Sequence, residues 1–397
     1  MSNGYPLRPL GSLMRLDIQR TPMVPATTYR LAGVLNAGQG LVAKGELDGG
    51  DTEYAAMNVL RVDQVVMRKL TAWEGPITVV PAEFDGFVVS NEFPTFTLGP
   101  ELVPDWIRHV CRSPRLWAEM KNRVSGTVQR RKRLNPEQLL QIELPIPPRE
   151  VQTGIVQVLD SVDDQIAALN TESEALERIL QSLRSDLPET DHQPIGDVLL
   201  GIDSGKSVQA GGEASAEDEF RILKLSAVQH GWFKPSEAKA LTETDAFSTS
   251  HVVRNGDLLI TRANTPERVG FVAVAKDVPD GTFMPDLIWR LRVDESRVST
   301  DYLEHVLSSF ELRTRISGVS GGTSKSMVKI NKRGFGTVRV PIPSLPEQGE
   351  YVRRCEVVVG MITATRTEEA RLREVRAGLL SGLLDRTIKI ESAELGV

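Results

Sequence analysis

Cysteine is nearly absent: Cys111 and Cys355 are the only two in 397 residues. They stand far apart without metal-type spacing, which excludes a disulfide framework and the usual paired-cysteine zinc site. No run of about 18 apolar residues exists, which excludes a membrane-spanning helix. The segment Met1–Leu16 has no apolar core and contains Pro6, Arg8 and Arg15, unlike a secretory leader. A cytoplasmic location is expected. Hydrophobic residues make up 40% and charged residues 25%, enough for two or three soluble domains with their own cores.

The net charge of −6 argues mildly against a polyanionic partner, but the charge is uneven. Residues 149–190 hold nine Asp/Glu and three Lys/Arg, so the other parts of the chain sum to about zero. Acid is missing altogether from two segments. Between Glu119 and Glu137 lie Lys121, Arg123, Arg130, Arg131, Lys132 and Arg133. Between Glu311 and Glu347 lie Arg313, Arg315, Lys325, Lys329, Lys332, Arg333 and Arg339. Such local basic segments matter more to a polyanion than the total does.

The sequence repeats itself at a spacing of 196 residues. Leu144-Pro145-Ile146-Pro147 matches Val340-Pro341-Ile342-Pro343, Gln152 matches Gln348, and Gly126-Thr127 matches Gly322-Thr323. Leu134-Asn135 matches Ile330-Asn331, and Asp105, His109 and Val110 match Asp301, His305 and Val306. Upstream the register slips, as loops permit: Pro9-Leu10-Gly11 matches Pro194-Ile195-Gly196, Tyr29-Arg30 matches Phe220-Arg221, and Gly40 matches Gly231. Two long copies are a duplicated domain, not a solenoid. Each copy begins with β-prone runs, such as Gln64–Met67, Asp257–Ile260 and Phe271–Val274. A helix is expected over Pro104–Lys121 and again over Thr300–Ile316. A Gly/Ser/Thr and basic loop follows, then a Pro-X-Pro stop and a long helix.

In the first long helix the apolar positions Ile155, Leu159, Val162, Ile166, Leu169, Leu176, Leu180, Leu183 and Leu187, with Ser173 filling one gap, alternate by four and three. This is a heptad seam, with Pro147-Pro148 before it and Pro188 after it. The second helix repeats it less regularly with Val358, Ile362, Leu372, Leu379 and Leu383, Cys355 and Thr365 standing between. Residues 345–390 carry eight basic and seven acidic residues. Opposite charge tendencies on two seam-bearing helices predict that they pack on each other, the alternative being that each lies on its own domain.

The order of a Gly-Asp strand, a Gly-Thr basic loop, a Pro-Ile-Pro turn, a nearby Gln and a long helix, present twice, resembles the specificity subunits of Type I restriction-modification enzymes. In the second copy Gly256-Asp257-Leu258-Leu259-Ile260-Thr261-Arg262 is similar to that family's Gly-Asp strand, and Ile342-Pro343-Ser344-Leu345-Pro346-Glu347-Gln348 to its helix-start signature. Ala72-Trp73-Glu74-Gly75 is similar to one branch of its recognition domains. Two departures stand out. Gln64 replaces the acid seen at Asp257, and Arg149-Glu150-Val151-Gln152 lacks the Glu347-Gln348 pair, which weakens the first helix cap.

The resemblance covers nearly the whole chain. It implies an α+β fold with two tandem mixed α/β target recognition domains joined by two long helices packed as an antiparallel coiled coil. The expected division is 1–148 and 190–344 for the recognition domains, 149–189 and 345–390 for the helices, and 391–397 for a tail. It further implies a non-catalytic subunit whose partners are double-stranded DNA, two methyltransferase subunits and restriction/translocase subunits, with each module reading one half of a split target. The specificity component of another DNA-modifying defence system is one alternative. A coiled-coil interaction protein without a DNA role is the other, and it gives no reason for acid-free basic loops at matching places.

Catalytic signals are weak. Pro104-Asp105 followed by Glu119-Met120-Lys121 has the loose outline of a metal-dependent nuclease site, but the second copy reads Thr300-Asp301 and Arg315-Ile316-Ser317 and loses it. Gly318–Lys325 has phosphate-loop composition, yet Ser324 precedes Lys325 and no helix signal follows. No Asn-Pro-Pro-aromatic or Asp-Pro-Pro-aromatic segment of an adenine methyltransferase occurs. His109 and His305 lack ligand partners at metal spacing and read as satisfied helix histidines, while Trp73 and Trp232 read as core residues before base-stacking ones. No catalytic residue, metal or cofactor is expected. Phosphate contacts position a protein on DNA and base-edge contacts specify. The phosphate binders expected are Arg130, Arg131, Lys132 and Arg133, and Lys325, Lys329, Lys332 and Arg333. Base readers expected from their hydrogen-bonding reach are Arg68, Lys69, Gln129 and Arg130 in the first module, and Arg262, Asn264, Arg268 and Lys325 in the second.

Overall fold

Short β-prone runs broken by Gly, Pro and Asp give each copy many short strands. The computed structural model describes residues 5–124, 132–207, 211–215, 217–242, 247–321, 327–384 and 388. Gln129, Arg130, Arg131 and Lys325, together with Gly126-Thr127, Gly322-Thr323 and the tail 391–397, therefore lie outside the described residues. Two units result: residues 1–170 together with 367–397, and residues 171–366.

The first unit carries β1 (Leu7–Pro9), β2 (Met14–Leu16), β3 (Gln19–Pro22), β4 (Thr28–Val34), β5 (Leu41–Asp48), β6 (Ala56–Val59), β7 (Val65–Met67), β8 (Ile77–Val79), β9 (Val88–Val89), β10 (Thr95–Leu98) and β11 (Glu143–Pro145). Its helices are α1 (Pro104–Cys111), α2 (Pro114–Arg123), α3 (Pro136–Leu140) and the start of α4 (Arg149–Ser185). The strands form a sheet β2-β10-β7-β8, a second sheet β3-β6-β9-β4-β5, and the pair β1-β11.

The second unit carries β12 (His192–Pro194), β13 (Leu199–Ser204), β14 (Arg221–Leu223), β15 (Val228–Gln229), β16 (Trp232–Phe233), β17 (Ala238–Ala240), β18 (Leu258–Thr261), β19 (Ala263–Asn264), β20 (Val272–Val274), β21 (Thr282–Phe283), β22 (Ile288–Val293), β23 (Val328–Lys329) and β24 (Arg339–Pro341). Helices α5 (Thr300–Leu307), α6 (Phe310–Gly318), α7 (Lys332–Gly336) and α8 (Leu345–Leu384) follow. The sheet β13-β22-β18-β20 has the strand order of β2-β10-β7-β8, and β17-β14-β21 has that of β5-β4-β9. The parallel pairing of β4 with β9 recurs between β14 and β21. The proline turn recurs too: Pro145 faces Leu7 and Pro341 faces His192. The repeat read from sequence is thus a repeat of topology.

Where one helix is expected over 104–121 and over 300–316, each module has two. Ser113 accepts from the Arg115 N–H at 3.3 Å, with Pro114 at the first helical position. Ser309 accepts from the Leu312 N–H, also at 3.3 Å. A serine N-cap starts a new helix by satisfying an orphan donor, and proline is well tolerated at the position after it.

Of the first heptad seam, Ile155, Leu159, Ile166, Leu176 and Leu180 are buried, and Val162, Leu169, Leu183 and Leu187 are half-buried. In the first unit Ile155 and Leu159 of α4 share one core with Trp106, Val110, Leu116 and Met120 and with Leu380, Leu383 and Leu384 of α8. In the second unit Leu176 and Leu180 of α4 share a core with Tyr302 and Val306 and with Tyr351, Cys355, Val358 and Ile362 of α8. The early part of α4 therefore meets the late part of α8, and the late part meets the early part: the two helices pack antiparallel. Each fully buried leucine on this seam contributes about 1.5–3 kcal/mol by apolar transfer. Leu372 and Leu379 are only half-buried, and α4 ends at Ser185, just ahead of Pro188. The seam also takes in Arg184 and Arg376, both buried, which an apolar period passes over.

Candidate nucleic-acid interface

The residues that follow β7 and β18 are held in the same way. In the first module Lys69 N donates to Glu92 O (2.9 Å), Leu134 N donates to Lys69 O (3.1 Å), and Leu70 bridges to Arg133. In the second, Arg262 N donates to Leu287 O (2.8 Å), Ile330 N donates to Arg262 O (2.9 Å), and Ala263 pairs with Lys329. The chain after each Gly/Ser/Thr loop is thus pinned against the chain after each Gly-Asp-type strand. Two basic residues meet at each junction, Lys69 with Arg133 and Arg262 with Lys329. All four are expected DNA contacts from sequence, but as members of separate loops.

Their surroundings differ. Arg133 Nη2 lies 3.2 Å and Lys69 Nζ 3.9 Å from the same Glu92 Oε1. Arg262 instead stacks over Trp289, 5.6 Å from the ring centre, and Lys329 is exposed on β23. Among the described residues neither of these two cations has a carboxylate in ion-pair range.

The other candidates are scattered around the junctions. Arg68 is spent on its own module: it donates to Leu70 O, Asn36 Oδ1 and Thr71 Oγ1 and pairs with Glu74 at 3.3 Å. This braces the turn at Thr71, whose φ is +56°, a region that β-branched residues seldom adopt. Lys132 contributes its carbonyl to Thr71 N (3.2 Å). Asn264 pairs with Val328 beside Lys329. Arg268 is exposed on the turn between β19 and β20, where its carbonyl accepts from Thr261 Oγ1 (2.9 Å). Lys332 donates from Nζ to Ile202 O (2.6 Å), and Arg333 is exposed next to it on α7.

The departure at Gln64 has a physical reason. In the second module Arg290 is sandwiched between Asp203 (2.7 Å) and Asp257 (3.1 Å). Asp257 also accepts from Arg254 N (2.8 Å). By strand register Gln64, Asp17 and Thr95 hold the corresponding places in the first module. There Gln64 Nε2 donates to Thr97 Oγ1 (3.0 Å), and Thr97 donates to Asp17 Oδ2 (2.7 Å). The arginine and one acid are lost together, so the local charge balance is kept.

Deeper in each module a histidine is clamped by an arginine from the long helices. Arg376 Nη2 donates to His109 Nδ1 (2.9 Å), and His109 Nε2 meets Asp160 Oδ1 (3.0 Å). Arg184 lies 3.3 Å from His305 Nδ1, and His305 Nε2 meets Glu356 Oε1 (3.1 Å). An arginine can only donate, so Nδ1 accepts and the ring proton sits on Nε2. Burial first, and then the Arg376 charge, push His109 down to about 4. Burial lowers His305 as well. Burial also raises Glu304, which accepts from Val274 N (2.6 Å), to about 7. His109, Asp160 and Asp163 come close enough to hold a metal, as do Glu304, His305 and Glu356. In the first group Arg376 already binds both His109 and Asp163 and supplies the cation; in the second Arg184 takes His305 Nδ1.

The repeated Gln has a fixed task. Gln152 Oε1 accepts from Val103 N (2.8 Å) while Nε2 donates to Glu101 O and Pro147 O. Gln348 does the same with Ser299 N (2.9 Å), Arg297 O and Pro343 O. It ties each long helix to the start of the preceding helix pair. The Ser344 N–H and hydroxyl both donate to Glu347 Oε2, closing the start of α8. At α4 the missing cap is offset by Arg149, which donates to Pro100 O and Leu102 O. The acidic positions of α1 and α2 are engaged in ion pairs, Asp105 with Arg108 and Glu119 with Arg123. Trp232 carries the Arg366 guanidinium over its ring at 4.7 Å.

Known proteins resemble this chain in sequence and in fold. Residues 118–178 match the family described as the Type I restriction modification DNA specificity domain. The chain is 27% identical over 244 residues to the EcoKI specificity subunit of Escherichia coli, covering 54% of this chain and 50% of that protein. It is 24% identical over 163 residues to the EcoEI specificity subunit of Escherichia coli, covering 41% and 27%. With the MjaVIII specificity subunit of Methanocaldococcus jannaschii it shares 20% over 281 residues, covering 63% of each. This chain is a relative of the type I specificity subunits. The matches span between 27% and 63% of these relatives' own lengths. A solved chain from a study of complex assembly and conformational transition in a type I restriction-modification system shares the fold, with a TM-score of 0.59 and 19% identity, covering 96% of this chain and 98% of that one. Among the described residues of this specificity-subunit homologue, no helix is long and apolar enough to cross a membrane.

Proposed function

We propose that the chain is the DNA-reading subunit of a type I restriction-modification complex and does no chemistry itself. Each module reads one half of a bipartite duplex target, and the paired helices hold the halves at a set spacing. Two methyltransferase subunits and the restriction/translocase subunits assemble on it. The observation that carries this reading is the twice-built basic junction, Lys69 with Arg133 and Arg262 with Lys329, each pinned by the same backbone hydrogen bonds. A basic pair fixed at one place in both copies of a duplicated module is suited to meeting two duplex segments alike. The test is to co-express the chain with its methyltransferase partner and map methylated bases across a genome. A two-part motif with a constant gap is expected, and replacing residues 5–143 by the equivalent module of a relative should alter one half only. Methylation that ignores the chain, or a swap that alters both halves, would refute the reading.

A further inference from the structure

Resting on the DNA-reading role proposed above, we infer that Glu92 is a specificity-determining residue of the first module: it withholds Lys69 and Arg133 from DNA phosphates, so the two modules grip the duplex unequally. The two junctions are equivalent places. Three backbone links set Lys69 against Arg262, Arg133 against Lys329 and Glu92 against Leu287. The cationic pair is kept in both modules. The carboxylate is present in the first and is a leucine in the second.

Glu92 is well placed for this task. Its carbonyl is fixed by Lys69 N (2.9 Å), and Oε1 sits 3.2 Å from Arg133 and 3.9 Å from Lys69. Its Oε2 is buried with no hydrogen-bond partner, while the side chain as a whole is half-buried. A phosphate approaching this junction meets two cations that share one carboxylate, a single net positive charge instead of two. Non-specific affinity comes from phosphate neutralisation and counterion release. The first module therefore gains little from a random duplex and must rely on base-edge contacts. In the second module Arg262 and Lys329, with no carboxylate in ion-pair range among the described residues, supply the sequence-independent grip at the same place.

The experiment uses the full chain and a labelled random-sequence duplex, with binding followed from roughly 50 to 200 mM salt. Glu92→Gln keeps the shape of the side chain and removes its charge. It should bind the random duplex several-fold more tightly and steepen the slope of log K against log salt by about 1 to 2, since each phosphate neutralised adds about 0.9. Adding Lys69→Gln and Arg133→Gln to it should cancel the gain. Arg262→Gln with Lys329→Gln should make the slope shallower by about 2. Leu287→Glu, which places the carboxylate in the second module, should also make it shallower and reads the effect from the opposite side if Glu92→Gln does not fold. If Glu92→Gln or Leu287→Glu folds and changes neither affinity nor slope, while the Arg262/Lys329 pair still matters, the inference falls and the DNA-reading role stands. No salt-dependent binding of any duplex by the unaltered chain would remove the DNA-reading role itself.

Discussion

Arg376 of α8 donates from Nη2 to Nδ1 of His109 in α1 across 267 residues of sequence, at 2.9 Å. The same guanidinium holds Asp163 of α4, so one side chain ties three helices of the first unit. Arg376→Met should cost on the order of 3 kcal/mol, the scale for breaking a buried pair by removing one partner. Burial is the main cause of the low His109 pKa and the Arg376 charge the second, so the pKa should move up from about 4 once that charge is gone. Denaturant titration and an NMR pH titration of the His109 ring would check both, and an unchanged ring pKa would show that Arg376 is not its neighbour in solution.

Glu304 gives a pH dependence of stability with a definite sign. Its pKa is raised by burial to about 7 from an ordinary value of 4.5. Between these two values the folded state holds a proton that the unfolded state has released. This group's stabilisation is therefore full below the ordinary value and is lost as pH rises through about 7. Glu304→Gln keeps an acceptor for Val274 N and has no such loss. Its stability relative to the parent should grow across that window by roughly 3 kcal/mol at most, because each pH unit crossed changes it by about 1.36 kcal/mol. Parallel melting curves at about pH 5 and about pH 8, on either side of most of the transition, would read the difference; equal gaps at both would contradict it.

The Arg290 sandwich predicts a rescue. Arg290→Thr removes the cation that Asp203 and Asp257 share, leaving Asp257 without an ion-pair partner among the described residues and Asp203 with the more exposed Arg292 alone, and should cost about 3 kcal/mol. Adding Asp257→Gln copies the arrangement of Gln64, Asp17 and Thr95 in the first module, where one acid stands without the arginine. The double variant should therefore be more stable than the single one by about 1 kcal/mol or more, a coupling typical of residues in one network. Chemical denaturation of the two variants decides it, and simple additivity would count against the charge-balance account.

Much of this fold was legible in the sequence because some repeated residues have fixed backbone tasks. Gln152 and Gln348 recur because the same three backbone groups must be satisfied in both modules, and Pro145 and Pro341 recur because each closes on the first strand of its module. The seam was legible because buried positions on a helix keep a 3.6-residue period. Arg184 and Arg376 were not, since a charged residue counts against an apolar stripe even where a histidine and carboxylates receive it. The breaks at Ser113 and Ser309 were carried by N-cap serines, a signal weaker than the apolar run spanning them. Glu92 was invisible for another reason. It lies far along the chain from the basic segments, and only the strand pairing brings it to Lys69 and Arg133. Gly231 shows a smaller case. Its φ of +73° is positive, as is the +96° of Gly40, but a Cβ there would also strike Arg184, whereas Gly40 has open space.

The core of the first unit contains Leu380, Leu383 and Leu384, whereas the second unit is one unbroken stretch, residues 171–366. The two modules cannot mature in the order in which a ribosome makes them. When residue 366 has emerged, every part of the second unit exists, while the older first unit still lacks the α8 leucines that share its core with Trp106 and Leu159. Loop closure over so long a separation adds only slowly to the entropic cost, but it cannot begin until the closing segment is made. The first recognition module is therefore the last to be finished. Until then its unfilled apolar face stays open to mispairing on the nascent chain.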